Sequence, residues 1–322
     1  MTKSLPADVG KQAPVFRNPS PSDRAPTGNR APNLKPQSTP MKSTLLISLA
    51  TLALVPAGQA VSLYGITSGN QLVNFDTAAP SVFTSSVSVS GLVGSDGVTP
   101  DPGAAILNLT ARPGISPGTF QLYGIDSNAN FYSINLGGAA TLLSNTLSPS
   151  GFSGGLAHDP FSDSLAFLTD ASENFSLSLA GAVTNNPTLF YGVGDPNSAA
   201  TPNIFGLGID PASGSATFML DSDLDTLAQS FTPDLSELFS VGSLGLDVTS
   251  FGGLVVDFDG NLFASLSVDG LESSLYSINP LTGAATPVGV FGTGISSIAV
   301  PEPSAALLGG LGLLALLRRR RA

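Results

Sequence analysis

A repeat of about fifty residues runs through this chain and constrains its fold more than any other feature. The segment Gly155-Leu156-Ala157-His158-Asp159 is followed 51 residues later by Gly206-Leu207-Gly208-Ile209-Asp210, and 47 residues after that by Gly253-Leu254-Val255-Val256-Asp257. A second short strand pattern, of apolar residues between turn residues, follows each copy. Repeats of 40–50 residues with about four short strands are typical of β-propeller blades, which assemble into a ring because no blade buries both faces alone.

The two ends of the repeat region predict how the ring closes. Residues 294–299 resemble the first strand of a blade with nothing after it, and residues 61–76 resemble later strands with nothing before them. Joining them completes one blade from both ends of the chain. With blade starts near 106, 155, 206 and 253, we expect an all-β, propeller-like ring of about five four-stranded blades. Two alternatives stay open: six or more blades, with extra strands in 77–104, and a β-sandwich.

Tyr-Ser-Ile-Asn strands followed by Gly-Ala-Ala-Thr returns predict hairpins, as in Tyr276–Thr286. These residues, with Leu63-Tyr64-Gly65-Ile66 and Leu122-Tyr123-Gly124-Ile125-Asp126, resemble the secreted DUF4394 family, a domain of unknown function. The resemblance covers about 61–300. It implies a fold and an export route, and it implies no catalytic residues.

The last 22 residues form a tail of three parts. Pro301, Glu302 and Pro303 precede an uncharged segment, 304–317, for which we expect a short apolar helix and a transmembrane segment. Four arginines follow: Arg318, Arg319, Arg320 and Arg321. Apolar residues before a basic block form a stop-transfer element. The tail, 301–322, resembles the PEP-CTERM sorting signal of Gram-negative bacteria, which implies processing by an exosortase after a transient stay in the inner membrane. An ordinary tail anchor is the alternative.

The other end of the chain carries an export pattern. Residues 41–60 combine a basic start, an apolar core at 45–55 and small residues up to Ala60, which predicts a signal peptide cleaved after Ala60 and export through the Sec machinery. Residues 1–40 are rich in Pro, Ser and basic residues. They are either a disordered leader or a wrongly assigned start upstream of Met41.

Charge excludes one class of partner for the body, 61–300. It holds twenty Asp and Glu and a single basic residue, Arg112, so its net charge is −19 (one minus twenty). Nucleic acid binding depends on Lys and Arg against phosphate, so we expect no nucleic acid partner. The chain has no cysteine, which excludes disulfides and thiolate metal sites.

Few residues of the body are candidates for catalysis or metal binding. His158 is the only histidine, and its equivalents in the repeat are Ile209 and Val256, which favours a structural role. Asp159, Asp210 and Asp257 recur at strand ends, where we expect their carboxylates to accept hydrogen bonds from backbone N–H groups.

Two segments have the alternating oxygen ligands of a calcium loop: Asp221, Asp223 and Asp225, and then Asp257, Asp259 and Asn261. The first lacks the Gly and Glu of an EF-hand, and the second also fits a hairpin turn. We expect no cofactor, with calcium at the first segment as a minor alternative.

Three functions compete. The leading hypothesis is a non-enzymatic surface or extracellular-matrix protein, sorted by an exosortase and associated with extracellular polysaccharide. The second is a propeller module that binds a glycan or a peptide, although the absence of Trp disfavours a sugar platform. The third is a calcium-dependent propeller hydrolase, which lacks a recognisable constellation of His and carboxylates.

Overall fold

The computed structural model describes residues 60–301 apart from 115, 117, 152, 212, 213 and 215. These residues form β-strands, turns and loops, and none of them is helical. In chain order the strands are β1 Ser62–Thr67, β2 Gln71–Asp76, β3 Ala79–Ser88, β4 Ile106–Pro113, β5 Phe120–Asp126, β6 Phe131–Ile134, β7 Ala140–Ser144, β8 Gly154–Asp159, β9 Ser164–Thr169, β10 Asn174–Ser178, β11 Val183–Asn185, β12 Phe190–Tyr191, β13 Ile204–Ile209, β14 Thr217–Asp221, β15 Thr226–Ser230, β16 Glu237–Ser243, β17 Gly252–Val256, β18 Leu262–Leu266, β19 Ser274–Ile278, β20 Ala285–Val290 and β21 Ile295–Ala299.

The strands form five small sheets, which are the blades of a five-bladed β-propeller. Blade 1 has the order β21-β1-β2-β3, blade 2 is β4 to β7, blade 3 is β8 to β11, blade 4 is β13 to β16 with β12 added at its outer edge, and blade 5 is β17 to β20. The innermost strands contact one another in a closed circuit, β21-β4-β8-β13-β17. The predicted fold class and blade starts are confirmed.

Ring closure also follows the prediction. β21, from the end of the described chain, pairs antiparallel with β1, with Tyr64 opposite Ala299 and Gly65 opposite Ile298. Blade 1 therefore takes its innermost strand from one end of the body and its other three from the opposite end. Because no local contact joins these segments, closure depends on the rest of the ring having assembled.

Two details differ from the simplest prediction. The segment 77–104 holds no extra blade: it contains β3 and a connection that bridges to blade 2, with Ser90 opposite Ala139. Blade 4 gains a fifth strand, because β12 in the long connection from blade 3 pairs in parallel with β16. A paired neighbour covers the backbone groups that an edge strand would otherwise leave open.

The core lies between the blades. The buried apolar residues form five clusters, and each lies in the interface between two neighbouring blades. Strand alternation produces this arrangement: in β9, Leu165 and Phe167 face blade 2, whereas Ala166 and Leu168 face blade 4. Each blade thus presents two inward faces to its neighbours and keeps only its rims and outer edge in water.

Glycine lets neighbouring innermost strands approach each other closely. A Cβ atom built on Gly155 of β8 would lie 2.3 Å from the backbone nitrogen of Leu207 in β13. No other residue fits at that separation. The Gly-Leu start of each repeat therefore reflects close strand contact at the centre of a narrow ring.

The predicted apolar helix and transmembrane segment, 304–317, lie outside the described residues. Within the described part, no helix is long and apolar enough to cross a membrane.

Candidate functional site

The two predicted processing sites border the ring directly. Ala60 is exposed and lies two residues before β1, and Pro301 follows two residues after β21. Because β1 and β21 are paired antiparallel neighbours, the chain enters and leaves the propeller side by side on one rim. Glu302, Pro303 and the four arginines, with the predicted leader 1–40 and most of the signal peptide, lie outside the described residues.

The single histidine and the single basic residue of the body share one carboxylate. Asp163 accepts hydrogen bonds from Arg112 Nε at 2.7 Å and Nη2 at 2.8 Å, and its Oδ1 lies 3.1 Å from His158 Nε2. Arg112 is on β4 of blade 2, whereas His158 and Asp163 belong to β8 and the turn after it in blade 3. This cluster therefore joins two blades by a bidentate ion pair.

Electrostatics in this cluster follow from its contacts. The hydrogen bonds from Arg112, and then the one from His158, hold the pKa of Asp163 well below its ordinary range. Burial lowers the pKa of His158 below its ordinary value, although the bond to Asp163 opposes that shift. A neutral imidazole then donates from Nε2, since an ionised carboxylate only accepts.

Sequence reasoning placed His158 at a structural position and missed that it shares the carboxylate of Asp163 with Arg112. The presence of a lone basic residue was a signal that some acid would pair with it. Nothing in the chain's local pattern indicates that this acid is Asp163.

The predicted calcium ligands engage separate partners. Asp221 is fully buried, and its carboxylate accepts from the Tyr191 hydroxyl at 2.8 Å and from the backbone N–H of Asp223 at 3.0 Å. Asp223 accepts from the side chain of Asn203, and Asp225 accepts from the backbone of Val248. Burial raises the pKa of Asp221, so its proton is held more tightly than usual.

No three His, Cys, Asp or Glu side chains of the described residues are grouped so that they could hold a metal ion. The geometry thus lends the calcium hypothesis no support, and calcium binding stays a prediction.

The recurring aspartates cap turns where the innermost strands end. Asp257 Oδ1 accepts the backbone N–H of Asp259 at 2.9 Å and of Asn261 at 2.8 Å. Asp159 accepts the backbone N–H of Phe161 at 2.9 Å. These contacts confirm the predicted capping role at both positions, and they show the second oxygen-rich segment as a hairpin turn.

Two small cavities lie at the two ends of the innermost strands. At the rim where the innermost strands end, a cavity of about 40 Å³ is lined mainly by apolar side chains of all five blades, such as Leu156, Leu207 and Val255. At the opposite end, a cavity of about 70 Å³ includes Asn108, whose buried side-chain nitrogen makes no hydrogen bond. Each of these volumes is enough for one or two water molecules.

A roomy cleft lies between blades 3 and 4. It has a volume of about 580 Å³, within the usual range for ligand sites, and opens beside the turn after β8 and the loop between β15 and β16. Its walls carry hydroxyl, amide and carboxylate groups together with two phenylalanines, Phe161 and Phe231. Sequence reasoning missed this cleft. The available signal was the run of Ser, Ala and Asn on one face of β9 and β10.

Similarity to solved structures supports no functional argument. One similar chain is a structural genomics protein of unknown function from Bacteroides thetaiotaomicron VPI-5482, with 15% identity, a TM-score of 0.42, and coverage of 63% of this chain and 53% of that one. The present chain thus spans about half the length of that protein. A second is a protein of unknown function from Bacteroides caccae, with 11% identity, a TM-score of 0.38, and coverage of 70% and 71%. A third is YCF48 bound to D1 peptide, with 9% identity, a TM-score of 0.35, and coverage of 68% and 60%.

A search of curated proteins found no match. Two family models do match. The model described as a domain of unknown function (DUF4394) covers residues 71–299, which is most of the ring. The PEP-CTERM protein-sorting motif covers residues 299–321, from the end of β21 onward. The motif indicates export and sorting to the cell surface. The chain is a member of the DUF4394 family that ends in a PEP-CTERM sorting motif.

Proposed function

We propose that this chain is a non-enzymatic surface or extracellular-matrix protein, which an exosortase sorts through its C-terminal tail. The observation that carries the proposal is the sorting motif, which begins where the ring-closing strand β21 ends. The exported chain stays briefly in the inner membrane through its apolar tail before the propeller is released or transferred to the surface.

The position of the chain ends supports this route. Ala60 and Pro301 border two paired strands. Signal-peptide cleavage after Ala60 and exosortase processing at the tail would therefore both take place next to the ring. Pro301 and Pro303 disfavour helix at the residues before them and keep the junction extended, which suits access by a processing enzyme. Removal of both hydrophobic ends would leave an intact propeller, because β1 and the ring-closing strand β21 both lie between the two cleavage sites.

The non-enzymatic part of the proposal draws support from how the polar groups are used. His158 bonds to Asp163, and no serine hydroxyl is among its hydrogen-bond partners in the described chain. Asp159, Asp221 and Asp257 each accept bonds within their own turns. Side chains that hold turns and blades together contribute stability rather than catalysis.

Replacing Pro301, Glu302 and Pro303 with alanine tests the sorting step in the native host. We expect the protein to accumulate in the inner membrane with its tail uncut, because the processing enzyme loses its extended recognition element. Mass spectrometry of both chain ends, with cell fractionation, measures the result. Pro287→Ala, an exposed proline on β20, is the matched control and should leave processing unchanged. Normal release of the triple variant would contradict the proposal.

A further inference from the structure

The face that blade 3 turns toward blade 4 differs from the face that it turns toward blade 2. In β9 and β10, Leu165, Phe167, Phe175 and Leu177 all face blade 2. The alternate positions of the same two strands face blade 4, and four of them are small or polar: Ser164, Ala166, Asn174 and Ser176. A face buried between two sheets is normally apolar, so this one departs from that pattern.

The apolar cluster between blades 3 and 4 does not fill the space. It includes three alanines, Ala157, Ala166 and Ala228, where neighbouring interfaces contain phenylalanine rings. Blade 4 adds two more small polar residues, Thr217 and Ser230, to the same space. The result is the 580 Å³ cleft. Interiors are packed to high density, so a gap of this size between two blades reflects side-chain choice along both walls.

The polar groups of the cleft are held in place before any ligand arrives. Asn186 donates to the side chains of Asn174 at 3.1 Å and Ser176 at 2.8 Å. Asn174 donates to the backbone carbonyl of Asp234 at 2.6 Å, which ties blade 3 to the loop between β15 and β16. Fixed polar groups lose little entropy when a ligand binds, which favours affinity.

Two aromatic rings stand at the mouth of the cleft. The exposed fraction is 76% for Phe161 and 68% for Phe231, so both rings lie largely in solvent. Each ring is supported from behind: Phe161 lies over Gly214, and the Phe231 ring is 6.0 Å from that of Phe239. They therefore offer two braced apolar surfaces beside a polar floor.

We propose that this inter-blade cleft binds a neutral saccharide. Hydroxyl, amide and carboxylate groups on the walls match the many hydroxyl groups of a sugar, and Phe161 and Phe231 provide apolar surfaces for the C–H face of its ring. No basic side chain lines the cleft within the described residues, whereas Asp159 and Asp234 do. Anionic glycans are thus disfavoured.

A peptide fits this cleft less well than a sugar. One common way to recognise an extended peptide is to add it as a strand to an open sheet edge, where backbone groups are available. Here the walls are the faces of two sheets and the turns at their ends, and they present side chains. Recognition through scattered hydroxyl and amide groups matches a polyol better than a peptide backbone.

Binding can be tested with the full-length protein, purified in a detergent that contains no sugar. The protein is first screened on an array of neutral oligosaccharides that also carries uronic-acid and sialylated oligosaccharides. The oligosaccharide that binds best is then the probe, and calorimetry measures its Kd. We expect a neutral oligosaccharide to bind. The double variant Phe161→Ala/Phe231→Ala should bind it at least tenfold more weakly, because both apolar surfaces are gone. Ala166→Leu should abolish binding by occupying the cleft while the protein still melts cooperatively.

Phe190→Ala is the matched control, since Phe190 is another exposed phenylalanine, on β12, and does not line the cleft. Its Kd should stay within twofold of the parent value. Binding of no neutral oligosaccharide, a preference for anionic ones, or an unchanged Kd in the double variant would overturn the proposal. Binding of a synthetic peptide of residues 1–40 in the cleft, with no binding of any sugar, would also overturn the proposal.

This inference does not rest on the export route, because binding is measured on purified protein. A protein that is sorted normally but binds no sugar would overturn the saccharide site alone. A protein that binds sugar but is released despite the alanine tail variant would overturn the sorting proposal alone.

Discussion

At the scale of single residues, one carboxylate organises the few titratable groups that join blades 2 and 3. Asp163 is half exposed, with 54% of its side chain accessible, whereas Arg112 is 23% exposed and His158 is 8% exposed. Solvent screens the exposed partner, so the ion pair contributes less than a buried one would. Removing Asp163 nevertheless leaves the guanidinium without its partner in a largely covered position, which is the more costly state.

Asp163→Asn should lower the free energy of unfolding by about 1 kcal/mol at pH 7 and lower Tm by roughly 2–4 °C. Asparagine tolerates the positive φ of 49° at this position, so the turn is kept. Because Arg112 depresses the folded-state pKa of Asp163, the stabilisation is present above the ordinary carboxyl pKa and is lost as pH falls below about 4. Thermal melts from pH 7 to pH 2 measure this.

The difference in Tm between parent and variant should therefore shrink in acid. Asp259→Asn, in an exposed turn and without an ion pair in the described chain, is the control and should change Tm by less than about 1 °C. A difference that does not shrink at all between pH 4 and pH 2 would show that the ion pair is not its source.

At the scale of elements, the innermost strands set the dimensions of the ring. Gly155 of β8 allows the backbone of β13 to come within contact distance, and Gly253 holds the equivalent place in β17. The two positions differ in how tight they are. A Cβ on Gly155 would meet Leu207 N at 2.3 Å, whereas one on Gly253 would meet Ser297 Cα at 3.1 Å.

Gly155→Ala should therefore destabilise the protein by about 1–3 kcal/mol, because a methyl group forces β8 and β13 apart. Chemical denaturation gives the free energy of unfolding. Gly253→Ala is the matched control, with the same substitution at the same place in another blade, and a smaller loss is expected there. Equal losses at the two positions would indicate that the cost comes from backbone entropy or strand propensity rather than from strand contact.

At the scale of the whole molecule, stability depends on ring closure. β21 pairs with β1 and also contacts β4 and β17, so it joins three blades. Ser297 on β21 adds a hydrogen bond across blades, accepting from the backbone N–H of Leu109 at 2.9 Å. A ring without β21 would leave three apolar surfaces open to water.

A chain that ends after Thr293 should therefore lose its cooperative melting transition, whereas a chain that ends after Pro301 should keep it. The second chain is the control, because it lacks the same tail but retains β21. Calorimetry with amide hydrogen exchange measures the effect, and protection should fall first in blades 1, 2 and 5. Identical melting of the two chains would mean that the remaining strands close the ring unaided.

The amino-acid sequence alone determined the repeat, the five blade starts and the closure of blade 1. Each of these depends on local alternation and on turn residues such as Asp159 and Asp257, whose spacing is visible along the chain. The sorting tail was likewise visible, since its three parts are contiguous, and the family models match it.

Only the tertiary structure decided which groups meet across blades. Asp163 pairs with Arg112, 51 residues away, because the end of β4 in blade 2 lies beside the turn after β8 in blade 3. Asp221, Asp223 and Asp225 have the spacing of a metal loop, yet they diverge because Asp221 caps its own turn and Asp225 adopts a positive φ of 49°. The cleft arises because two polar faces are opposed. Local pattern specifies which side of a strand a residue occupies, whereas blade packing specifies what lies opposite.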